Sequence, residues 1–295
     1  MRATTFIDFT RLPVLRRVFF FTCALLLQAC GGGGSDAGSS GGTAPAVSGV
    51  GADRTSYGLL STFTVIGSNL TPGVTFGATG CGGLAVTAGG SSTKQVFTCT
   101  PNGAPGVRVG ASAAGSEFYN ATLPVPRPRV TLTTTLGPIV VELDPAKVKA
   151  TVDNFLTYVN SGFYNGTIFH RVVKDFVSQG GGFTGLSGGI LTPQMGVRAA
   201  IPLETNKGLS NLRGSIAMAR TSVPDSATSQ FFFNQVDNTF LDYSNSTSPG
   251  YAVFGTIVSG LSVMDAINGV STQTVGGFTN VPVVDIVLQS AARTQ

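Results

Sequence analysis

The sequence predicts a mainly β protein: a small all-β sandwich followed by a closed β-barrel capped at its ends by two helices. Three observations carry this. Apolar runs are short, rich in Val, Thr and Phe, and bounded by Gly, Pro and Asn, the pattern of strands between turns. Only two stretches of the 295 residues place apolar side chains at helical spacing. PVPRPRV, residues 124–130, puts three prolines into five residues, a stiff extended joint between two differently patterned halves.

Taken in order, the chain opens with an export leader over residues 1–29. Arg11, Arg16 and Arg17 precede VFFFTCALLL, residues 18–27, the length of a signal-peptide apolar core and too short to span a bilayer. The run ends LLLQAC and continues GGGGSDAGSSGG. This junction resembles the processing site of bacterial lipoproteins. The resemblance implies cleavage after Ala29, acylation of Cys30, and a lipid-anchored protein facing the periplasm or the cell surface. RRVFF leaves the twin-arginine route open beside the general one. Residues 30–45 are then a flexible Gly/Ser linker.

Residues 46–125 carry STFTVIG (61–67), GVTFGA (73–78), KQVFTC (94–99) and GVRVGA (106–111), separated by Asn69, Pro72, Gly80 and Asn102-Gly103. No helical period is visible, so a sandwich is expected. The pattern resembles the immunoglobulin-like domains set between lipid anchor and working domain in bacterial surface proteins, and a spacer role is expected. Cys23 lies in the leader and Cys30 is the lipid site, which leaves Cys81 and Cys99. In an exported chain such a pair is expected to close a disulfide, stabilising by about 3 kcal/mol for a loop of roughly twenty residues. There is no CxxC and the single histidine is distant, so no metal site is expected.

Residues 126–295 form the second domain. VTLTTTLGPIVVELD gives two strands around Gly137-Pro138. DPAKVKATVDNFLTYVNSG gives a helix, with Asp144 as N-cap, Pro145 in the first turn, an apolar face of Val148, Val152, Phe155, Leu156 and Val159, and Gly162 as its stop. TIFHRV, FVSQ, SIAMAR, QFFFN, YAVFGTIV and VVDIVLQ supply further strands, and a second helix is expected over Ser262–Asn268. Many short strands with two helices point to the capped barrel.

Charge excludes one class of partner. Four of the eighteen basic residues and one of the fourteen acidic residues precede Cys30, leaving fourteen and thirteen. No basic stripe survives, so nucleic acid is not expected as a partner. Two motif matches also fall away. Gly180-x-Gly182-x-x-Gly185 fits a dinucleotide fingerprint, but LSGGILTP follows where a helix is needed. Gly185-x-Ser187-x-Gly189 fits a nucleophile elbow, but no histidine follows residue 170.

FHRVVKDFVSQGGGF, GSIAMAR, SATSQFFFN, FLD and YAVFG occur in that order. Together, over about residues 129–292, they resemble a cyclophilin-type peptidyl-prolyl cis-trans isomerase of the bacterial periplasmic kind. The resemblance implies an eight-stranded antiparallel barrel with two helices, proline-containing polypeptides as substrate, and no cofactor. It implies Arg171 and Gln179 as the catalytic pair. It further implies a substrate site of Phe176, Val177, Ala219, Arg220, Gln230, Phe232, Phe240, Leu241 and Tyr251. Ala219 and Arg220 match the segment that pairs with the substrate ahead of the proline.

The chemistry suits such residues. Conjugation holds the peptide bond behind a barrier of about 18–20 kcal/mol. Rotation breaks no σ bond, so neither a nucleophile nor a metal is required. A fixed donor aimed at the prolyl nitrogen as it pyramidalises favours the twisted state over the planar one. The permanently charged, rigid guanidinium of Arg171 is such a donor. His170 is not needed for proton transfer and is expected to be a structural residue, hydrogen-bonded near the pocket. Alternation along the strand is expected to put 169, 171, 177 and 179 on related faces.

Several positions depart from the family pattern. Val177 stands for a methionine and Tyr251 for a histidine. Arg220 stands where eukaryotic members carry asparagine, and Lys174-Asp175 where a Pro-Gly turn is usual. Phe240 replaces a tryptophan and its indole donor, so weak cyclosporin binding is expected. Two other classes stay open from sequence: a peptide-holding or adhesive module that uses the same groove without catalysis, and a protein whose main role lies in residues 46–125.

Overall fold

The computed structural model describes residues 43–103 and 106–295. The expected leader and the lipid site at Cys30 lie outside these residues. No helix among the described residues is long and apolar enough to cross a membrane. Thr43–Gln295 form one compact unit.

Two antiparallel sheets come first. One orders β1 (Ala46–Ala52), β2 (Ser61–Ser68), β5 (Lys94–Pro101) and β4 (Cys81–Val86) as β1-β2-β5-β4; the other pairs β3 (Val74–Thr79), β6 (Gly106–Ala113) and β7 (Ser116–Pro124) as β3-β6-β7. Alternation decides their inner faces. Phe63 and Val65 of β2, Phe97 and Cys99 of β5, and Val107 and Val109 of β6 are all buried in one apolar cluster. Phe63 and Phe97 are directly opposed across the ladder and stack with centroids 5.1 Å apart. A disulfide joins Cys81 to Cys99, as expected. β1, β4 and β7 were not singled out by the sequence.

The second part is a closed antiparallel barrel of eight strands, in the order β10 (Thr167–Val173), β11 (Val177–Gly180), β15 (Phe231–Asn234), β14 (Ser215–Met218), β16 (Val253–Ser259), β9 (Gly137–Leu143), β8 (Arg129–Thr134), β19 (Val287–Arg293). Closure leaves no free edge. Val130, Leu132, Ile139, Val141 and Leu143 alternate inward from the first hairpin. Helix α1 (Lys149–Asn160) plugs the barrel with Phe155, which lies 5.0 Å from Phe254 and edge-on to Phe231 at 5.9 Å. α2 (Leu261–Asn268) buries Met264 and Ile267. Two accessory hairpins, β12 (Phe183–Ser187) with β13 (Ile190–Pro193) and β17 (Thr272–Val275) with β18 (Phe278–Pro282), stand outside the barrel.

The start of α1 corrects the sequence expectation. The helix begins at Lys149, with Val148 as N-cap, and Asp144 does not cap it. Asp144 is held instead by Arg127 at 2.9 Å, and Pro145–Val148 form a separate turn closed by the Val148 amide on the Asp144 carbonyl. The cap comes from far along the chain: the Glu204 carboxylate accepts from the amides of Ala150 (3.3 Å) and Thr151 (2.8 Å). An anion at a helix N-terminus is favourable whichever residue supplies it. Gly162, at φ 70°, ends the helix where expected.

Tyr57 joins the first sheets to the barrel. It is buried, its phenol donates to Asp153 of α1 at 2.7 Å, and its carbonyl accepts from Arg293 of β19. Burial raises the phenol far above its ordinary pKa, so it remains a donor.

Candidate active site

Strands β11, β15 and β14 show how the barrel wall builds a site. On β15, Phe231 and Phe233 point into the core, and Phe232 between them faces outward. Val177 and Gln179 of β11 share that outer face, with Gln179 opposite Phe232 in the ladder. Ala217, Phe232, Val177 and Val253 form a small apolar cluster that Phe176, Leu241 and Tyr251 pack against.

Arg171 reaches the same face by an irregularity. Phe169 pairs with Gly180 and Arg171 with Gln179, so His170 is an extra residue on β10. This bulge overturns the alternation expected from sequence. Phe169 lies in the core, edge-on to Phe231 and stacked on Phe233, whereas Arg171 lines the outer groove. Bulges commonly re-aim one side chain in this way.

The result is a groove of about 240 Å³ lined by Arg171, Phe176, Val177, Gln179, Ala219, Arg220, Phe232, Leu241 and Tyr251. Nine of the eleven expected site residues are therefore brought together. Gln230 lies just beyond, in an adjoining polar cleft, where its Oε1 accepts from Gln179 Nε2 at 2.9 Å. Phe240 does not line the groove: it is 73% exposed at the rim and stacks on Phe176 with centroids 5.8 Å apart. Arg171 Nη1 donates to Gln179 Oε1 at 3.4 Å, so Gln230, Gln179 and Arg171 form one chain of contacts. That chain fixes the guanidinium at the border of an apolar slot with polar surface. Among the described residues no group of His, Cys, Asp and Glu is arranged to hold a metal.

Support behind the groove was not legible in sequence. Asn211, Asn234, Asn238 and Ser215 are buried and joined: Asn234 Nδ2 donates to Asn211 Oδ1 (3.1 Å) and Ser215 Oγ (2.9 Å), and Asn238 Nδ2 to Asn234 Oδ1 (2.9 Å). Asp242 accepts from the Asn211 amide at 2.7 Å and from Ser210. This network holds the turn Thr239–Leu241, and Leu241 accepts from the Tyr251 amide at 2.9 Å. Asn268 of α2 secures the loop carrying Phe176. Its Oδ1 accepts from the Asp175 amide at 2.9 Å and its Nδ2 donates to the Val173 carbonyl at 3.0 Å. Asp175 thereby sits at φ 55°, doing the work of a glycine.

His170 is 5% exposed and lies 4.6 Å from Phe183. It is structural in placement, and its Nδ1 has no hydrogen-bond partner among the described residues. Burial lowers its pKa to about 4, so the ring is neutral in the folded protein. The unfolded chain, with an ordinary histidine near 6.5, takes up the proton first as pH falls. Stability is therefore full above pH 6.5 and declines as pH falls toward 4, by about 2 kcal/mol between pH 7.5 and 5. Urea unfolding across that range should show this slope in the wild type and lose most of it in His170→Phe.

Residues 129–293 match the family model described as cyclophilin type peptidyl-prolyl cis-trans isomerase/CLD. The chain belongs to this family. It is a cyclophilin-type peptidyl-prolyl cis-trans isomerase, and its barrel with two helices is the cyclophilin fold. Among its relatives, peptidyl-prolyl cis-trans isomerase A of Dickeya dadantii is 52% identical over 162 residues, covering 55% of this chain and 82% of that protein. Isomerase cyp18 of Streptomyces antibioticus is 49% identical over 167 residues, covering 55% of this chain and 96% of that protein. Isomerase B of Escherichia coli is 46% identical over 164 residues, covering 55% and 96%. The first two sheets lie outside the family match, which begins with β8.

Proposed function

We propose that this cyclophilin isomerises Xaa-Pro bonds in exported proteins while tethered to a bacterial membrane through a lipid on Cys30. The observation that carries the catalytic part is the meeting of one guanidinium with one apolar slot. Phe176, Val177, Phe232, Leu241 and Tyr251 receive the proline ring, and Arg171, braced by Gln179, stands where the ring's nitrogen loses its planarity. A hydrogen bond to that nitrogen forms only as conjugation is lost, so it stabilises the transition state over either planar isomer. Exchange without catalysis takes on the order of 10–100 s, and a hundred-thousand-fold acceleration needs about 7 kcal/mol of such differential stabilisation. Gln179 and Gln230 orient the donor and the substrate backbone, and Ala219 and Arg220 flank the chain ahead of the proline. Phe240, without an indole donor and displaced to the rim, supports weak cyclosporin binding.

Residues 46–125 act as an immunoglobulin-like spacer between the Gly/Ser linker 30–45 and the isomerase domain 126–295. The two sheets with a shared core and the disulfide support this reading, and a disulfide suits an exported chain. NMR exchange spectroscopy of a proline peptide with catalytic amounts of the full chain tests the function. Enhanced cis–trans exchange supports it, whereas binding without faster exchange identifies a module that only holds peptides. For the anchor, metabolic labelling with a fatty acid should mark the wild type and not Cys30→Ser, which should be released from membranes.

A further inference from the structure

The groove is cationic with no counter-charge. Arg171 and Arg220 both line it, and neither has a carboxylate within salt-bridge distance among the described residues. Asp225, a few residues beyond Arg220, accepts from the Leu203 amide, and Asp242 is taken by Ser210 and Asn211; neither lines the groove.

Arg220 is also held in place. Its Nε donates to the Gly250 carbonyl and its Nη1 to the Thr221 carbonyl, both at 2.9 Å, and the guanidinium lies over the Tyr251 ring at 4.6 Å. The rest of its five N–H groups have no protein partner among the described residues. A pre-ordered guanidinium loses little side-chain freedom on meeting a carboxylate. It borders two spaces: the apolar slot, and the adjoining cleft of about 150 Å³ lined by Gln179, Ala219, Thr221, Ser226, Thr228 and Gln230. The cleft is polar and, apart from Arg220 itself, uncharged.

We infer that Arg220 selects substrates with an acidic side chain at the second residue before the proline. The inference rests on reading the Arg171 slot as the prolyl site. In an extended peptide alternate side chains face the same way. The side chain two residues before the proline therefore faces the protein as the ring does, over Ala219 and into the cleft beside Arg220. The hydroxyl protons of Thr221 and Ser226 are already committed, Thr221 Oγ1 donating to Ser226 Oγ and Ser226 Oγ to the Val223 carbonyl, so the guanidinium of Arg220 is the charged donor that an anion meets there. A lysine at that position meets a fixed positive charge instead.

The test uses the full chain and the peptides Glu-Ala-Pro-Phe, Gln-Ala-Pro-Phe and Lys-Ala-Pro-Phe with blocked ends. In low salt kcat/KM should fall in the order Glu, Gln, Lys, with about tenfold between the first and last, equivalent to about 1.4 kcal/mol. The ratio should shrink in 1 M NaCl, where screening acts within about 3 Å. Arg220→Gln should bring the Glu/Lys ratio close to one, and Arg220→Lys should retain a Glu preference. A purely structural Arg220 would alter rates without altering the ratio. Equal rates for Glu and Lys peptides in the wild type, or an unchanged ratio in Arg220→Gln, overturns the inference. Turnover of the Gln peptide reports the prolyl site independently, so its loss in the wild type counts against that reading rather than this one. If Arg220→Gln does not fold, the wild-type ratio and its salt dependence still decide.

Discussion

Arg171→Ala is expected to lower kcat/KM for an Xaa-Pro peptide by about a hundredfold or more, the usual effect of removing one pre-organised transition-state donor. The loss should fall mainly on kcat, because the hydrogen bond forms only as the amide twists. Stability should change little. Arg171 is part-exposed, and among the described residues its side chain bonds only Gln179, whose amide keeps its contact with Gln230. Arg171→Lys keeps the charge and loses the fixed fork, so a smaller but clear loss is expected. Two-dimensional exchange measurements with circular dichroism as a folding control check this. Wild-type rates in Arg171→Ala would remove the proposed mechanism while leaving the family membership intact.

The groove around Arg171 also shows where sequence reading worked and where it stopped. Residue identity was enough to find the groove, because the blocks around 169–183, 214–220 and 226–234 carry their chemistry in order. The barrel strands were visible wherever alternation is clean, as at Phe231, Phe232 and Phe233. The bulge at His170 was not visible, because an inserted residue changes register without changing composition, and two-residue alternation then mis-sorts Phe169 from Arg171. The cap of α1 was missed for another reason. Asp144 has the right chemistry in the right place, but Arg127 competes for its carboxylate, and Glu204 arrives from 53 residues beyond Thr151. The asparagine network under Leu241 is likewise a set of long-range contacts, and polar residues in otherwise ordinary loops gave no local signal. Phe240 was placed by its match to the family pattern, which fixes order along the chain but not the direction of a side chain at a rim.

Replacing both Cys81 and Cys99 by alanine is expected to destabilise the first two sheets by about 3 kcal/mol, from the loop entropy returned to the unfolded chain. The two cysteines are 18 residues apart. β4 has mostly exposed residues, so little apolar burial compensates once the covalent link to β5 is gone. Cys99→Ser should be worse than Cys99→Ala, because Cys99 is fully buried in the apolar cluster and a hydroxyl there finds no partner. Activity should survive in the double variant. Every groove residue belongs to the barrel or its connections, from Arg171 to Tyr251, and none to β1–β7. Urea unfolding followed by hydrogen exchange, with isomerase rates measured alongside, should show β1–β7 opening first and the rate persisting. Reductant added to the wild type should reproduce the effect. If activity and the first sheets are lost together, the contacts of Tyr57 with Asp153 and Arg293 bind the two parts into one cooperative unit, and the sheets are then a structural component of the enzyme rather than a spacer.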